Sequence, residues 1–447
     1  MMKKLKNLPE SDFLKLFFGF ITACFLIAAV CMPDRNTMFS GLVNILTSTC
    51  KVTTNYFSVG GYAATFLNMG LVSLMCLLLF VVFKGTPNNV STLAVLLTVG
   101  FASWGINPLN VLPTMLGVIL YGLVKKEKLG TLVNAMMFST GIAPIISDLL
   151  LRYPNTEAIG FNLPGALIAL VAGLVIGFFL PAGLAHSPKV HKGFDLYSAA
   201  LPIGMTAFLL NATLYKTMGL DVNALKAAGD MAVASASTVN IFCCVVFGLC
   251  ILVAFLMGCT PKDYWKLLTD PALVTNFSGT YGNATFLMNV GVYGLFILGY
   301  YNLIGASFNG VTFGVIFCML ACCNSGSHPG NVWPIMVGYI VSSFLFAWLG
   351  KLLGNESFAL TIGNQSILIG LCYANGLSPI TGKYGVGYGM LAAGLHYLLV
   401  TAVPDMHGGF CLYNGGFTAA LICLLFVPQL EKFCKTKEER KLLKVAK

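Results

Sequence analysis

Two stretches of the chain repeat one another: F-S-V-G-G-Y-A-A-T-F-L-N-M-G from Phe57 and F-S-G-T-Y-G-N-A-T-F-L-M-N-V-G from Phe277. They share Phe-Ser, then Ala-Thr-Phe-Leu, then an Asn and a Gly, with Met288 inserted before the second Asn. The separation between Asn68 and Asn289 recurs further along the chain, and we call it the repeat offset. Self-similarity at a fixed offset is the sequence signature of an internal repeat, and it directs the interpretation of the rest of the chain.

Three further pairs of matching stretches follow in the same order, which extends the repeat from Phe57 to Tyr197. The pairs are Gly105–Pro113 (G-I-N-P-L-N-V-L-P) with Gly326–Pro334 (G-S-H-P-G-N-V-W-P), Gly141–Ile145 (G-I-A-P-I) with Gly376–Ile380 (G-L-S-P-I), and Pro188–Tyr197 (P-K-V-H-K-G-F-D-L-Y) with Pro404–Tyr413 (P-D-M-H-G-G-F-C-L-Y). Runs rich in Gly and Ala match by chance in membrane proteins, but four ordered matches predict a true duplication.

The composition places this duplication in a membrane protein. The chain has 447 residues, of which 57% are hydrophobic and only 9% are charged. Soluble domains carry about 25% charged residues, so a disordered chain, a collagen-like chain and an ordinary soluble enzyme are excluded. The prediction is an all-α polytopic membrane protein with room for roughly 14 or 15 spans, at about 30 residues each with their loops.

Fourteen apolar segments are visible along the chain, with boundaries uncertain by about two to four residues. They are Asp12–Met32, Tyr62–Phe83, Val90–Trp104, Leu109–Val124, Thr131–Leu150, Leu163–Gly183, Ser198–Met218, Ser235–Met257, Tyr281–Tyr301, Ser307–Cys323, Val332–Gly350, Phe358–Pro379, Tyr384–Val403 and Leu412–Gln429. An even number puts both termini on one side of the membrane. With both termini inside, most Lys-bearing gaps fall on the cytoplasmic side, as the positive-inside rule requires.

The repeat divides the chain into a first half (residues 1–220), a second half (residues 221–430) and a basic cytoplasmic tail (residues 431–447). Each half holds seven segments, which are to be read as transmembrane or re-entrant. Because seven is odd, the second half must cross the membrane in the opposite sense to the first. The sequence therefore predicts two inverted repeats, an arrangement characteristic of transporter and channel folds.

Paired helix breaks give the first candidate substrate site. The segment Val90–Trp104 covers about 22 Å, less than the hydrocarbon core, so its continuation through the Asn-Pro linker suggests a broken or re-entrant helix. We expect Pro108 and Pro329 at first helical positions, beside Asn107 and His328, with Asn110 and Asn331 in the first turn. Such helix starts are partly positive and, at corresponding positions of two halves, indicate a substrate site.

Two more asparagines, Asn68 and Asn289, recur in both halves and complete the predicted substrate-binding set. Neutral polar side chains inside spans can bind an uncharged or zwitterionic solute, but they also link helices to each other. The two linkers can likewise be simple tight turns between full spans, because Asn, Pro and Gly are common turn residues. The sequence leaves these alternatives open.

The remaining motifs argue against several other functions. The chain has no G-x-x-x-x-G-K-[ST], H-E-x-x-H or G-x-S-x-G motif, and its five histidines form no spaced metal set. We therefore predict no enzyme activity, no cofactor and no metal. The net charge of +10 fits cytoplasmic loops better than nucleic-acid binding. All sixteen acids fall near segment ends or in gaps, which weakens a mechanism through a buried carboxylate.

Four stretches carry a resemblance to a known family: the F-S…A-T-F-L repeat, N-P-L-N-V-L-P from Asn107, G-L-S-P-I-T-G-K-Y-G from Gly376, and H-G-G-F-C-L-Y-N-G-G-F from His407. On these residues the whole chain resembles an uncharacterised family of bacterial multi-pass inner-membrane proteins, the domain of unknown function 1576. The resemblance implies an inner-membrane location and no particular activity. Locally, S-F-N-G-V-T-F-G at Ser307–Gly314 is similar to a segment of urea-transporter-type channels, which are also inverted repeats.

The leading hypothesis is a secondary transporter of a small polar solute with a midplane site at the paired breaks. A channel-like facilitator for a small neutral solute is the alternative, and a non-transporting membrane scaffold or sensor is a third hypothesis from another class. The expected partners are the solute, whose identity the sequence does not give, and the lipid bilayer, with no nucleic acid. A homo-oligomer is left open. The expected location is the inner (plasma) membrane, with both termini cytoplasmic.

Overall fold

The computed structural model describes residues 2–154, 159–273, 275–355 and 361–445. Within these residues the fold is all-α, without strands, which confirms the all-α part of the predicted fold class. The α-helices of the described residues are α1 (Met2–Lys6), α2 (Glu10–Cys31), α3 (Met38–Leu46), α4 (Tyr56–Val59), α5 (Gly61–Val82), α6 (Asn89–Phe101), α7 (Leu112–Lys125), α8 (Val133–Phe138), α9 (Pro144–Leu151), α10 (Leu163–His191), α11 (Ala200–Leu214), α12 (Ala236–Leu256), α13 (Pro261–Leu268), α14 (Phe277–Tyr281), α15 (Asn283–Leu303), α16 (Gly310–Leu320), α17 (Pro329–Leu353), α18 (Gln365–Ala374), α19 (Ser378–Tyr384), α20 (Val386–Leu399), α21 (Val403–Met406), α22 (Asn414–Phe433) and α23 (Lys437–Val445).

Seven stretches of the described residues are long and apolar enough to cross a membrane, so the chain is a multi-pass membrane protein. They are α2, α5, α10, α12, α15, α17 and Asn414–Val445, and the bent pair formed by α8 and α9 makes an eighth if it counts as one span. The predicted count of fourteen stays a prediction, although every predicted segment contains at least part of a described helix. Residues 358–360 of the predicted segment Phe358–Pro379 lie outside the described residues.

The two predicted breaks are present, but they differ in detail. The second is as predicted: α17 begins at Pro329, with His328 at its N-cap. The first is not, because α7 begins at Leu112 and Pro108 lies in a turn before it, so the placement of Pro108 at a first helical position was wrong. The reason is local. The Asn107 side chain accepts hydrogen bonds from the backbone N–H groups of Leu109 and Asn110, at 3.0 Å each, and holds the chain in a turn.

The short helices α6 and α16 cross each other in the interior through glycines. A Cβ atom on Gly100 of α6 would lie 2.6 Å from the carbonyl oxygen of Gly314, and a Cβ on Gly314 would lie 2.2 Å from the Trp104 ring. The Ser103 hydroxyl donates to the carbonyl oxygen of Gly310 at 2.7 Å, which ties the end of α6 to the start of α16. The two helices can approach this closely only because side chains are absent at the crossing.

The two copies of the last repeated motif each contact the third repeated motif of the other half, Gly376–Ile380 or Gly141–Ile145. The Leu196 N–H donates to the carbonyl oxygen of Gly376 at 3.1 Å, and the Leu412 N–H donates to that of Gly141 at 2.8 Å. The rings of the tyrosines that follow, Tyr197 and Tyr413, lie where a Cβ on Gly376 or on Gly141 would be. The exchange is reciprocal, since Leu196 and Leu412 occupy matching positions of Pro188–Tyr197 and Pro404–Tyr413.

The described ends of the chain both lie beside the region of residues 268–271 and 278–283. Near the N-terminus, Glu10 accepts a hydrogen bond from the Ser278 hydroxyl at 2.7 Å, and the Leu8 carbonyl accepts one from the Asn283 amide at 2.9 Å. Near the C-terminus, Lys437 and Lys441 of α23 line a cavity together with residues 268–271. Both described ends of the chain therefore lie at the same end of the helix bundle.

The α6–α16 crossing yields a stability prediction. We expect Gly100→Ala to lower the free energy of unfolding by about 1–3 kcal/mol, because the added methyl group overlaps the backbone of α16. The matched control is Gly248→Ala in α12, where a Cβ would meet no atom within 4 Å among the described residues. The control should be neutral or stabilising by about 1 kcal/mol, since Ala favours a helix over Gly. Unfolding in detergent micelles, followed by circular dichroism, measures both, and equal effects would contradict the close crossing.

Candidate functional site

The asparagines Asn68 and Asn289 lie at the two helix breaks and make matching contacts. The Asn68 amide donates to the carbonyl oxygens of Ala102 and Ile106, at 2.7 and 2.9 Å. The Asn289 amide donates to those of Cys323 and Ser327, at 2.8 and 3.0 Å. Each residue of the second set is separated from its counterpart in the first by the repeat offset. Because carbonyls at the end of a helix lack partners within that helix, these amides satisfy groups that would otherwise be unpaired at depth.

The predicted residues of each break form a closed turn. The Asn110 side chain accepts from the Asn107 N–H at 2.9 Å and donates to the Gly105 carbonyl at 3.1 Å. In the second half, the Asn331 side chain accepts from the His328 N–H at 3.1 Å and donates to the Gly326 carbonyl at 2.8 Å. The structure thus brings the predicted residues together within each half. The side-chain amides of Asn107, Asn110 and Asn331 form most of their hydrogen bonds with backbone groups.

Of the eight predicted site residues, His328 and Asn331 line a cavity of about 510 Å³, which we call the tail cavity. Lys383 and the α23 residues Lys437 and Lys441 also line it. His328 is buried, and its Nδ1 atom has no hydrogen-bond partner among the described residues. Asn68, Asn107, Asn110 and Asn289 are at most 1% exposed, so a solute reaches them only if the helices move.

A second cavity, of about 460 Å³, is lined by several polar side chains. We call it the Asp195 cavity; its polar lining includes Asn89, Asn134, His191, Asp195, Thr275 and Ser325. Both halves contribute, because Thr275 and Ser325 come from the second. A volume of this size is within the range of about 300–1,000 Å³ that is typical of small-molecule sites.

Three side-chain oxygens of the Asp195 cavity have no hydrogen-bond partner within the described part of the chain: Asn134 Oδ1, Asp195 Oδ2 and Thr275 Oγ1. Asp195 is only 1% exposed, and its other carboxylate oxygen accepts from the Tyr197 N–H at 2.9 Å. Burial raises the pKa of the Asp195 carboxyl from its ordinary value to about 7. Buried polar atoms are normally paired, so three unpaired oxygens on residues that line one cavity make it a candidate binding site.

His191 contributes a neutral ring to the same cavity. Its Nδ1 atom accepts from the Gly193 N–H at 3.2 Å, so the proton of the neutral ring is on Nε2. This Nε2–H lies 2.7 Å from the Ser198 hydroxyl and donates to it. Ser198 also lines the cavity, and its own hydroxyl proton is not used in this bond.

Sequence reasoning missed this site for two reasons. It expected acids only near segment ends or in gaps, and therefore no buried carboxylate, whereas Asp148 and Asp195 are each 1% exposed. Asp148 lies in α9, where its carboxylate is paired with Arg152 and accepts from the Tyr215 hydroxyl at 2.7 Å. The signal for Asp195 was present in the repeated motif Pro188–Tyr197, since that motif recurs with its His in both halves.

The repeat-related loops, the one after α3 and the one before α22, are held together by contacts around Lys51. The Val52 N–H donates to the carbonyl oxygen of Gly409 at 2.8 Å, which joins the loop after α3 to the loop before α22. The buried Lys51 ammonium donates to the carbonyls of Val222 and, at 3.0 Å, Leu225. Burial lowers the pKa of Lys51 to about 8.

A family model described as a protein of unknown function (DUF1576) matches residues 34–216 and 259–432 of the chain. The two matched ranges contain both helix breaks and most of the lining of both cavities. No curated protein and no solved structure matches the chain. The helix-break and cavity geometry is therefore the basis for any statement about activity.

The asparagine ties yield a second stability prediction. We expect Asn289→Ala to lower the free energy of unfolding by about 1–3 kcal/mol, because the carbonyls of Cys323 and Ser327 lose their donor in a buried place. The control is Asn240→Ala, which removes an asparagine that bonds Asn302 at an exposed position and should change stability by no more than about 0.5 kcal/mol. Thermal unfolding of the two variants side by side tests the tie, and an equal loss would argue against it.

Proposed function

This chain belongs to the DUF1576 family of proteins of unknown function, and we propose that it is a membrane transport protein, specifically a secondary transporter of a small polar solute. The solute site lies between two inverted repeats of seven transmembrane or re-entrant segments each. The protein resides in the inner (plasma) membrane with both termini cytoplasmic. Its partners are the solute and the lipid bilayer.

The proposed duplication is supported by contacts that recur at one separation along the chain. Both Asn ties, both closed turns and the helix caps Asn88 and Asn309 are related by the repeat offset. The reciprocal bonds of Leu196 and Leu412 are what two copies exchange when a two-fold axis relates them. In membrane proteins such paired halves, with broken helices at matching positions, are the usual frame of a secondary transporter.

One observation carries the proposal: equivalent loop pairs of the two halves are in different states. Val52 and Gly409 are joined by a hydrogen bond, whereas no bond joins their counterparts, Leu273 and Gly193, in the described part of the chain. At that second position the Asp195 cavity enters the protein, lined by Gly193 and Thr275. A transporter that works by alternating access needs one end closed while the other is open. A scaffold that does not move needs no such difference between the loop pairs of its two halves.

Solute flux in proteoliposomes tests the proposal. The panel consists of small neutral, zwitterionic and charged solutes, with and without sodium, pH and voltage gradients, and protein-free liposomes are the baseline. We expect one class of solute to accumulate against its gradient. Downhill flux that is indifferent to every gradient would replace the transporter with the channel-like facilitator. Absence of flux for the whole panel would favour the non-transporting scaffold or sensor.

Cysteine accessibility checks the one-sided opening with a matched pair of residues. Thr54 and Thr275 are related by the repeat offset; Thr54 is fully buried and accepts from the Lys51 N–H at 2.7 Å, whereas Thr275 lines the Asp195 cavity. We expect Thr275→Cys to react with a membrane-impermeant thiol reagent at least tenfold faster than Thr54→Cys. The background carries Cys31→Ser and Cys244→Ser, which remove the two exposed thiols among the described residues. Labelling of detergent-solubilised protein is sufficient, and equal rates would contradict a difference between the two ends.

A further inference from the structure

The open acceptors of the Asp195 cavity define the chemistry of its ligand. Asn134 Oδ1 is an amide oxygen and can only accept hydrogen bonds, and the same holds for Asp195 Oδ2 when the carboxyl group is ionised. Thr275 Oγ1 can accept one as well. A ligand that fills such a site must therefore bring several N–H or O–H donors. A carboxylate or phosphate would place its acceptors against Asp195 Oδ2 and Asn134 Oδ1 and leave those two oxygens unsatisfied.

The charge of the lining favours the same class of ligand. Asp195 is an acid, and neither Lys nor Arg is among the described residues that line the cavity. His191 is neutral when its Nδ1 atom accepts from Gly193. An ionised Asp195 is therefore the single formal charge of the described lining, and a buried carboxylate without a partner is stabilised by a cation that enters beside it.

The size of the cavity selects an organic cation over a metal ion. About 460 Å³ accommodates a solute of several non-hydrogen atoms, whereas a bare alkali ion fills a small part of it and would need a close shell of oxygens. Apolar side chains such as Val90, Leu93 and Phe138 line the remainder. They suit the carbon part of an amine and contribute nothing to a metal ion.

From these contacts we propose that the Asp195 cavity binds a small organic cation with several N–H donors, a primary ammonium or a guanidinium group, as the transported solute. Asp195 accepts from the cationic nitrogen, and Asn134 and Thr275 accept from its other hydrogens. This inference rests on the proposed transport function and names the class of its substrate. Only the first half carries this carboxylate, because the residue of Pro404–Tyr413 that corresponds to Asp195 is Cys411.

Binding of guanidinium and of urea to the purified full-length chain tests the proposal. The two probes have nearly the same shape and similar N–H donors, but only guanidinium is charged. We expect millimolar guanidinium or methylammonium to raise the thermal unfolding temperature in detergent at constant ionic strength, and urea, acetate and sodium to leave it unchanged. Stabilisation by urea as strong as that by guanidinium, by acetate, or by sodium alone would overturn the organic-cation site.

Variants locate the site. Asp195→Asn keeps an oxygen for the Tyr197 N–H and removes the charge, and it should weaken guanidinium binding at least tenfold. Asp405→Asn, which neutralises an exposed acid in the short helix α21, is the control and should bind like the unmodified chain. Thr275→Val keeps the side-chain shape and should weaken binding about threefold or more, which gives an answer if Asp195→Asn does not fold. Unchanged affinity in a folded variant of either kind would exclude that residue from the site and overturn the assignment.

Failure of this inference and failure of the transport function are distinguishable. If flux occurs for neutral or anionic solutes and guanidinium neither binds nor competes, the transport function stands and the cation site falls. If guanidinium binds at Asp195 and no solute crosses the bilayer, the cation site stands as a binding site and the substrate role falls with the transport function.

Discussion

Peptide groups at a helix break inside an apolar medium must find hydrogen-bond partners within the protein, and this constraint organises the whole structure. Asn68 and Asn289 supply those partners to the two breaks, and Asn110 and Asn331 close the turns that follow. The breaks can therefore lie deep in the bundle without exposed backbone polarity. The short helices α6 and α16 can then end in the interior, where they cross through Gly100 and Gly314.

The two halves share a backbone plan and differ in the chemistry placed upon it. Asp195 of one half corresponds to Cys411 of the other, so one loop carries an ionisable group and its counterpart does not. Lys51 closes the opposite end through backbone carbonyls, in a place where its counterpart at the repeat offset is Ala272. The two ends of the repeated plan therefore carry different charges, a buried carboxyl group at Asp195 and a buried ammonium group at Lys51.

The sequence was informative wherever an interaction repeats and less so wherever it depends on packing. The all-α membrane class follows from composition, and the breaks at Asn107–Asn110 and His328–Asn331 follow from matching motifs. Pro108 was misplaced because the Asn107 side chain stabilises a turn that competes with an early helix start. The Asp195 cavity was not predictable: which oxygens of Asn134, Asp195 and Thr275 remain unpaired depends on side chains that come together only in the folded chain.

The reciprocal bonds between the halves have a consequence for how the protein is made. Gly141 receives its hydrogen bond from Leu412, which is synthesised only after more than half of the chain has followed Gly141, and Leu196 likewise waits for Gly376. Ribosomes add about 5–20 residues per second, so Gly141 waits on the order of tens of seconds for its partner. During that interval the Gly141 carbonyl lacks the donor, and Gly141 lacks the Tyr413 ring, that it contacts in the folded chain. The contacts that join the two halves are therefore completed only after most of the chain has been synthesised, so the first half is not finished by itself.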